Sequence, residues 1–243
     1  MFFILLSPFF FFLGLKGEIA SPFGRAVIMD RERLRSVTYG AFKTYFCYIK
    51  NLRRLANGSL HMPYVVDAGA NIGDFALAMA RKGGRVVALE PGPENYKHLL
   101  SNIKANRLTN ILPLMVAAHS KLAFVTMAGS GSSLHVVNSG AGLSSRGVSL
   151  DQLVEEFHVK TVDIVKLDVQ GHERNVVLGM KGLLEKRLVG ILIVEVHLVR
   201  GVRDRDISSL LESLGYRQVF RDEYLFDQHH LYFTPRDDIT LSS

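Results

Sequence analysis

From Tyr64 onward, short apolar runs alternate with longer amphipathic segments, and few folds accommodate that rhythm. Strand-like runs cover 64–68, 85–90, 111–117, 163–168 and 189–196. Helix-like segments cover roughly 73–82, 93–106, 149–158, 172–187 and 204–214. Strands separated by helices form a parallel sheet with helices on both faces. Ile164-Val165 and 189–194 are apolar without interruption, as strands buried on both faces are. After Gly215 come two further strand-like runs, 216–220 and 230–234, whose link, 221–228, has no helix-length pattern. They are expected to pair as an antiparallel hairpin at the sheet edge. The fold class is therefore α/β, a Rossmann-like and mostly parallel sheet with an antiparallel C-terminal hairpin.

The chain has 243 residues, 48% hydrophobic and 21% charged, enough for one large domain with an appendage. Residues 62–243 carry the α/β rhythm. Residues 17–61 read as a helical cap, with Phe42, Tyr45, Phe46, Ile49 and Leu52 at helical spacing and Asn57-Gly58-Ser59 as a closing loop. Cys47 is the one cysteine, which excludes an intrachain disulfide and a multi-cysteine metal site. The net charge is +6, with Arg31, Arg33, Arg35, Lys43, Lys50, Arg53 and Arg54 clustered in one stretch. A solvated helical face accounts for such a cluster better than an anion-binding surface does.

Residues 1–16 form an apolar segment interrupted by Pro8. Its apolar run is shorter than the ~20 residues needed to cross a bilayer, and no basic residue precedes Phe2. Three readings stand open: a membrane-surface anchor through residues 1–15, an element packed on the domain, or translated sequence upstream of the natural start. Residues 128–147 are rich in Gly and Ser and read as a flexible loop or a long hairpin inside the domain.

The first strand ends in Asp67-Ala68-Gly69-Ala70-Asn71-Ile72-Gly73. Glycines at a strand end let the backbone turn sharply and let a ligand approach it. The next helix adds free N–H groups and a positive dipole end. A nicotinamide-binding loop reads G-x-G-x-x-G, and Asn71 stands where its middle glycine would be. The pattern suits a ligand without phosphate and with an ammonium group that Asp67 could face, directly or through water. S-adenosylmethionine (SAM) is such a ligand. Glu90, 23 positions after Asp67, ends the second strand, where an acid accepts hydrogen bonds from ribose hydroxyls. Pro91-Gly92-Pro93 then leads into a helix with Asn95 near its start. The candidate cofactor residues are Asp67, Gly69, Asn71, Gly73, Glu90 and Asn95.

The segments VVDAGANIGDFAL, ALEPGPENYKHLLSNIKAN, SLDQLVEEF, DIVKLDVQGHERNVVLGM and ILIVEVH occur in this order. Together they resemble the FkbM family of SAM-dependent methyltransferases, over about residues 62–236. The resemblance implies a class I methyltransferase fold with a seven-stranded sheet and one antiparallel strand. It also implies methylation of a hydroxyl, often on a sugar or another secondary metabolite. Two departures stand out. The family's K-I-D-V-E-G motif here has Gln170 in place of its glutamate, and 118–121 lacks the family's Asp before a glycine.

Hydroxyl methylation needs a base or a metal to remove a proton. Asp168, at the end of the fourth strand, is the first candidate, and its alternative role is to bind N–H groups of the turn after it. His172 and Glu173 open the next helix. Glu195 and His197 end the fifth strand on one face and, with Asp168, would form an acid–base or divalent-metal cluster. The candidate catalytic set is Asp168, His172, Glu195 and His197. His135 in the Gly/Ser stretch could reach substrate, and His229 and His230 should face opposite ways.

The expected acceptor is a hydroxyl on a small molecule or glycan. Nucleic-acid methylation is disfavoured, because LDVQGHE lacks the Asn/Asp-Pro-Pro-aromatic turn of base-amino methyltransferases, and cytosine-carbon methylation needs a cysteine nucleophile whereas Cys47 lies far upstream in the expected cap. A SAM-binding domain without catalysis is the other alternative, supported by Gln170. Because SAM is a cytoplasmic cofactor, the catalytic part is expected to face the cytoplasm, with residues 1–16 as the candidate membrane contact.

Overall fold

The structure is a computed structural model that describes residues 2–6, 9–13, 18–21, 24–27, 43–55, 62–137, 142–225 and 228–236. Seven strands form the central sheet: β1 (Tyr64–Ala68), β2 (Arg85–Leu89), β3 (Ile111–Leu114), β4 (Val162–Leu167), β5 (Val189–His197), β6 (Tyr216–Leu225) and β7 (Gln228–Pro235). Their order is β6-β7-β5-β4-β1-β2-β3. The pairs from β5 to β3 are parallel, and β7 runs antiparallel to both β5 and β6. The expected edge hairpin is present.

The helices are α1 (Lys50–Leu55), α2 (Asp74–Ala80), α3 (Pro93–Ala105), α4 (Leu150–Glu156), α5 (Glu173–Leu178), α6 (Lys181–Glu185) and α7 (Asp204–Ser213). Period-two alternation sends neighbouring strand residues to opposite faces. Val66, Leu167 and Val194 pack on α4–α7 through Leu150, Val176, Leu184 and Leu211. Val65, Ile164 and Ile193 pack on the other face with Phe75, Leu99, Tyr48 and Leu52. The cap helix thus closes the second face, and Ile49 and Leu52 are core as their spacing predicts.

Three expectations change. The single helix expected over 172–187 is two, α5 and α6, broken at Gly179, where a Cβ would lie 2.0 Å from the His119 carbonyl oxygen. The strand expected over 111–117 ends at Leu114, and Ala117–Ala118 joins a second small sheet. Residues 17–60 are not helical throughout. Glu18–Ser21 and Gly24–Val27 are strands, and with Phe2–Leu6 and Phe9–Leu13 they form a four-stranded antiparallel sheet. Pro22 disfavours a helix there, and the phenylalanine-rich runs suit a pleated surface. Phe42 and the Asn57-Gly58-Ser59 loop lie outside the described residues, as do the side chains of Tyr45 and Phe46. Among the described residues no helix is long and apolar enough to cross a membrane.

The Gly/Ser segment is the long hairpin of its two readings. Ala123–Ala128 pairs antiparallel with His135–Val137 on one side and Leu143–Val148 on the other. Between them, the turn Gly131–Ser133 lies over the carboxyl end of the central sheet.

Candidate active site

A crevice of about 500 Å³ opens at the carboxyl ends of β1, β2 and β4, in the size range of small-molecule and cofactor sites. The turn after β1 forms one wall. Gly69 has φ +81°, and a Cβ there would lie 1.9 Å from the Asp168 carbonyl oxygen, so only glycine fits. The N–H groups of Gly69 and Ala70 both donate to the Leu89 carbonyl, at 3.0 and 2.9 Å. Asn71 and Gly73 complete the turn with positive φ, and Asn71 lines the crevice.

Glu90 is buried behind this turn. It accepts hydrogen bonds from Asn71 N at 2.8 Å, Gly92 N at 2.9 Å and Asn95 Nδ2 at 3.2 Å. Burial pushes its carboxyl up to about 7, against the lowering effect of the Gly92 and Asn71 N–H groups. Asn95 Nδ2 also donates to the Gly131 carbonyl at 2.8 Å, which ties the small sheet's turn to the crevice.

Asp67 is fully buried and is not among the residues that line the crevice. Lys166 donates to its Oδ1 at 3.0 Å and to the Gly69 carbonyl at 3.4 Å. Register explains the pair: Lys166 and Asp67 are direct partners in the β4–β1 ladder. Burial raises the Asp67 carboxyl and Lys166 opposes that rise.

Asp168, Glu195 and His197 converge at the other end. His197 Nε2 lies 3.6 Å from Asp168 Oδ1 and 3.5 Å from Glu195 Oε1. Lys43 reaches Asp168 Oδ2 at 3.0 Å and also pairs with Glu195 Oε2. Tyr48 donates to the same Glu195 oxygen at 2.7 Å. Burial would raise the Glu195 carboxyl, but Lys43, then His230, hold it well below the usual carboxylate range. Burial would lower the Lys43 ammonium, and Asp168 and Glu195 raise it instead. The remaining imidazole nitrogen, His197 Nδ1, lies 2.9 Å from Glu173 Oε1. His197 is raised as well: burial lowers it, but the Glu173 hydrogen bond and the Asp168 charge prevail.

His172 lines the crevice but stacks on His119, with ring centroids 5.1 Å apart. Burial lowers its imidazole, which favours the neutral form. Among the described residues no ion pair joins it to the carboxylates. His135 contacts Arg200 Nη1 at 3.1 Å. His229 pairs with Asp204 and His230 lies beside Glu195, on opposite faces as alternation requires.

The family model of the methyltransferase FkbM domain matches residues 67–218. This chain belongs to the FkbM methyltransferase family. The matched region is a methyltransferase domain. This FkbM methyltransferase is 32% identical to the hexuronic acid methyltransferase AglP of Haloferax volcanii over 164 residues, 65% of this chain and 66% of AglP. The chain therefore spans just under two thirds of that relative. It is 28% identical to the methyltransferase sdnD of Sordaria araneosa over 218 residues, covering 72% of this chain and 82% of sdnD. Its fold matches a SAM-dependent methyltransferase from Aquifex aeolicus with TM-score 0.53 and 15% identity, over 85% of this chain and 99% of that one.

Several residues of this FkbM methyltransferase's crevice escape sequence reasoning. Lys43 belongs to a basic stretch read as a solvated face, and that reading is corrected here. Lys50, Arg53 and Arg54 are exposed, but the Lys43 side chain is only 11% exposed, held by the partly buried Asp168 and the buried Glu195. Tyr48 reads only as part of an apolar helix. Lys166 had a usable signal, since a lysine within an apolar strand two positions before Asp168 has no solvent face to occupy. Asp74, partly buried in the crevice wall with its carboxyl pushed up to about 7 by burial, carried none.

Proposed function

We propose that the protein transfers the SAM methyl group to a hydroxyl of a small, sugar-containing acceptor. The observation that carries this reading is the position of Asp168. It follows β4 directly, and its N–H donates to the Ala68 carbonyl at 2.9 Å, so its carboxylate stands beside the glycine turn at one end of the crevice. A cofactor seated on that turn, with its ribose toward Glu90, would present its methyl group near Asp168.

In this reading Asn71, Glu90 and Asn95 hold the adenosine end, Gly69 and Gly73 shape the turn, and Asp67 acts through Lys166. The acceptor oxygen attacks the methyl carbon in line. When bound, SAM would supply the methyl group while its sulfur kept the pair from the carbon–sulfur bond, and Asp168 would take the hydroxyl proton. Lys43 keeps an ammonium beside the developing negative charge on oxygen, and Glu195 and His197 orient Asp168 and Lys43. Positioning alone supplies about 7–11 kcal/mol of such a barrier. A placed base adds about 10²- to 10⁴-fold. His172 belongs with the crevice wall.

AglP, by its name, acts on a hexuronic acid, and this relationship supports a sugar-containing acceptor here. The catalytic part would face the compartment that supplies SAM, the cytoplasm. The test is Asp168→Asn with a panel of sugar and uronic acid acceptors. We expect unchanged SAM affinity by calorimetry and turnover reduced at least a hundredfold. Full turnover would remove Asp168 from the proton transfer, and methylation of nucleic acid but no hydroxyl acceptor would overturn the substrate class.

A further inference from the structure

We propose that Asp168 Oδ1, Glu195 Oε1 and His197 Nε2 form a binding site for one divalent transition-metal ion, at the acceptor end of the crevice. The proposal deepens the hydroxyl-methylation reading and rests on it only for what the ion would do.

The spacing comes first. One ligand atom from each of the three residues lies within 4.8 Å of the other two, and His197 Nε2 is 3.6 Å from Asp168 Oδ1 and 3.5 Å from Glu195 Oε1. Oxygen and imidazole ligands sit about 2.0–2.2 Å from such an ion. At tetrahedral or octahedral angles that places them roughly 3.0–3.6 Å from each other.

Orientation is the second observation. His197 is buried, and its Nδ1 faces Glu173 Oε1, which also accepts from Gly171 N at 2.9 Å. A carboxylate on Nδ1 assigns the proton to that nitrogen and leaves Nε2 as an acceptor, met at 2.8 Å by the Gln170 amide and flanked by Asp168 Oδ1 and Glu195 Oε1. Carboxylate–histidine pairs of this kind position metal-binding imidazoles. Lys43 and Tyr48 take Asp168 Oδ2 and Glu195 Oε2. The opposite Glu195 oxygen, Oε1, is fully buried and accepts no hydrogen bond among the described residues. Burying an acceptor without a partner is costly.

Charge is the third. Four carboxylates, Asp67, Asp168, Glu195 and Glu173, stand against two ammonium groups, Lys43 and Lys166, the latter 3.0 Å from Asp67 Oδ1 and 3.6 Å from Asp168 Oδ2. Two negative charges remain for a divalent cation to balance. Gln170 Nε2 marks the mouth of the site, 2.8 Å from His197 Nε2 and 3.2 Å from Asp168 Oδ1. Rotation of that amide would turn its carbonyl oxygen to the ion as a further ligand. Two carboxylates with one imidazole suit Mn²⁺, Fe²⁺ or Zn²⁺. When bound, such an ion would lower the pKa of an acceptor hydroxyl.

The test uses the full chain, stripped with chelator and titrated with MnCl₂ under electron paramagnetic resonance and calorimetry. One Mn²⁺ per chain is expected. His197→Ala and Glu195→Gln should each weaken it at least a hundredfold, and Glu173→Gln ten- to a hundredfold. Gln170→Glu should tighten it, which keeps the test alive if the buried variants misfold. Circular dichroism and SAM titration report on folding. Absence of stoichiometric Mn²⁺ in the wild type, or binding indifferent to both His197→Ala and Gln170→Glu, overturns the site. Methyl transfer undiminished in chelator, without Mn²⁺ binding, would sink the site and leave the reaction standing. Mn²⁺ binding without methyl transfer to any hydroxyl would do the reverse.

Discussion

The phenol of Tyr48 donates a 2.7 Å hydrogen bond to Oε2 of Glu195, a residue 147 positions away. This bond joins the helical turn ahead of α1 to the end of β5, and Lys43 pairs with the same oxygen from one turn earlier. The segment holding Lys43 and Tyr48 is therefore part of the end of the crevice where Asp168 and Glu195 lie.

Tyr48→Phe removes that donor and keeps the ring, which packs edge-on against Phe75 and His230. Glu195 Oε2 would retain only its ionic partners. A loss of about 1–3 kcal/mol is expected, toward the lower end because Lys43 stays. Denaturant unfolding would show it, and an unchanged midpoint would mean that the cap does not brace Glu195.

Lys166→Met should be far more damaging. It leaves the Asp67 carboxylate buried without its cation, and breaking one partner of a buried pair costs about 3–5 kcal/mol. The double variant with Asp67→Asn should recover much of that loss, because no charge is then stranded. A double variant as unstable as Lys166→Met would show that the lysine matters for something other than Asp67.

The proposed ribose contact at Glu90 predicts pH-dependent SAM binding. A ribose hydroxyl there would donate to the carboxylate, so affinity should rise as pH increases through about 7, where burial places the Glu90 carboxyl. Stability of the unliganded protein should move the other way. The folded state holds a proton that an unfolded chain releases near the ordinary value of 4.5, so this contribution falls as pH rises from 4.5 toward 7. Glu90→Gln should flatten the binding profile at weak affinity. Calorimetric titration across pH 5.5–8.5 checks it, and a steep profile in the variant would assign the dependence elsewhere.

Gly69→Ala places a methyl group 1.9 Å from the Asp168 carbonyl oxygen at φ +81°. Backbone must move, and the moving parts are the turn after β1 and the segment carrying Asp168. SAM affinity should fall about tenfold or more, about 1.4 kcal/mol. Wild-type affinity in this variant would show that the turn does not shape the SAM site.

The α/β rhythm, the turn after β1 and the Glu90 acid were legible in the amino-acid sequence, because each depends on residues close together in the chain. Alternation of Val65 and Val66 between two cores follows from strand geometry, and Gly69 follows from what its backbone must do. The strands among residues 18–27 were misread as part of a helical cap, because a strand depends on partners that local spacing does not name. Lys43 shows the same limit in the site. In the chain it is one cation among several in residues 31–54, identical in kind to the exposed Lys50. Only the fold brings it to Asp168, 125 positions away, and to Glu195. Periodicity reports which face of an element is apolar. A buried ionisable group needs a buried counter-charge or hydrogen-bond partners, and that placement belongs to the tertiary structure.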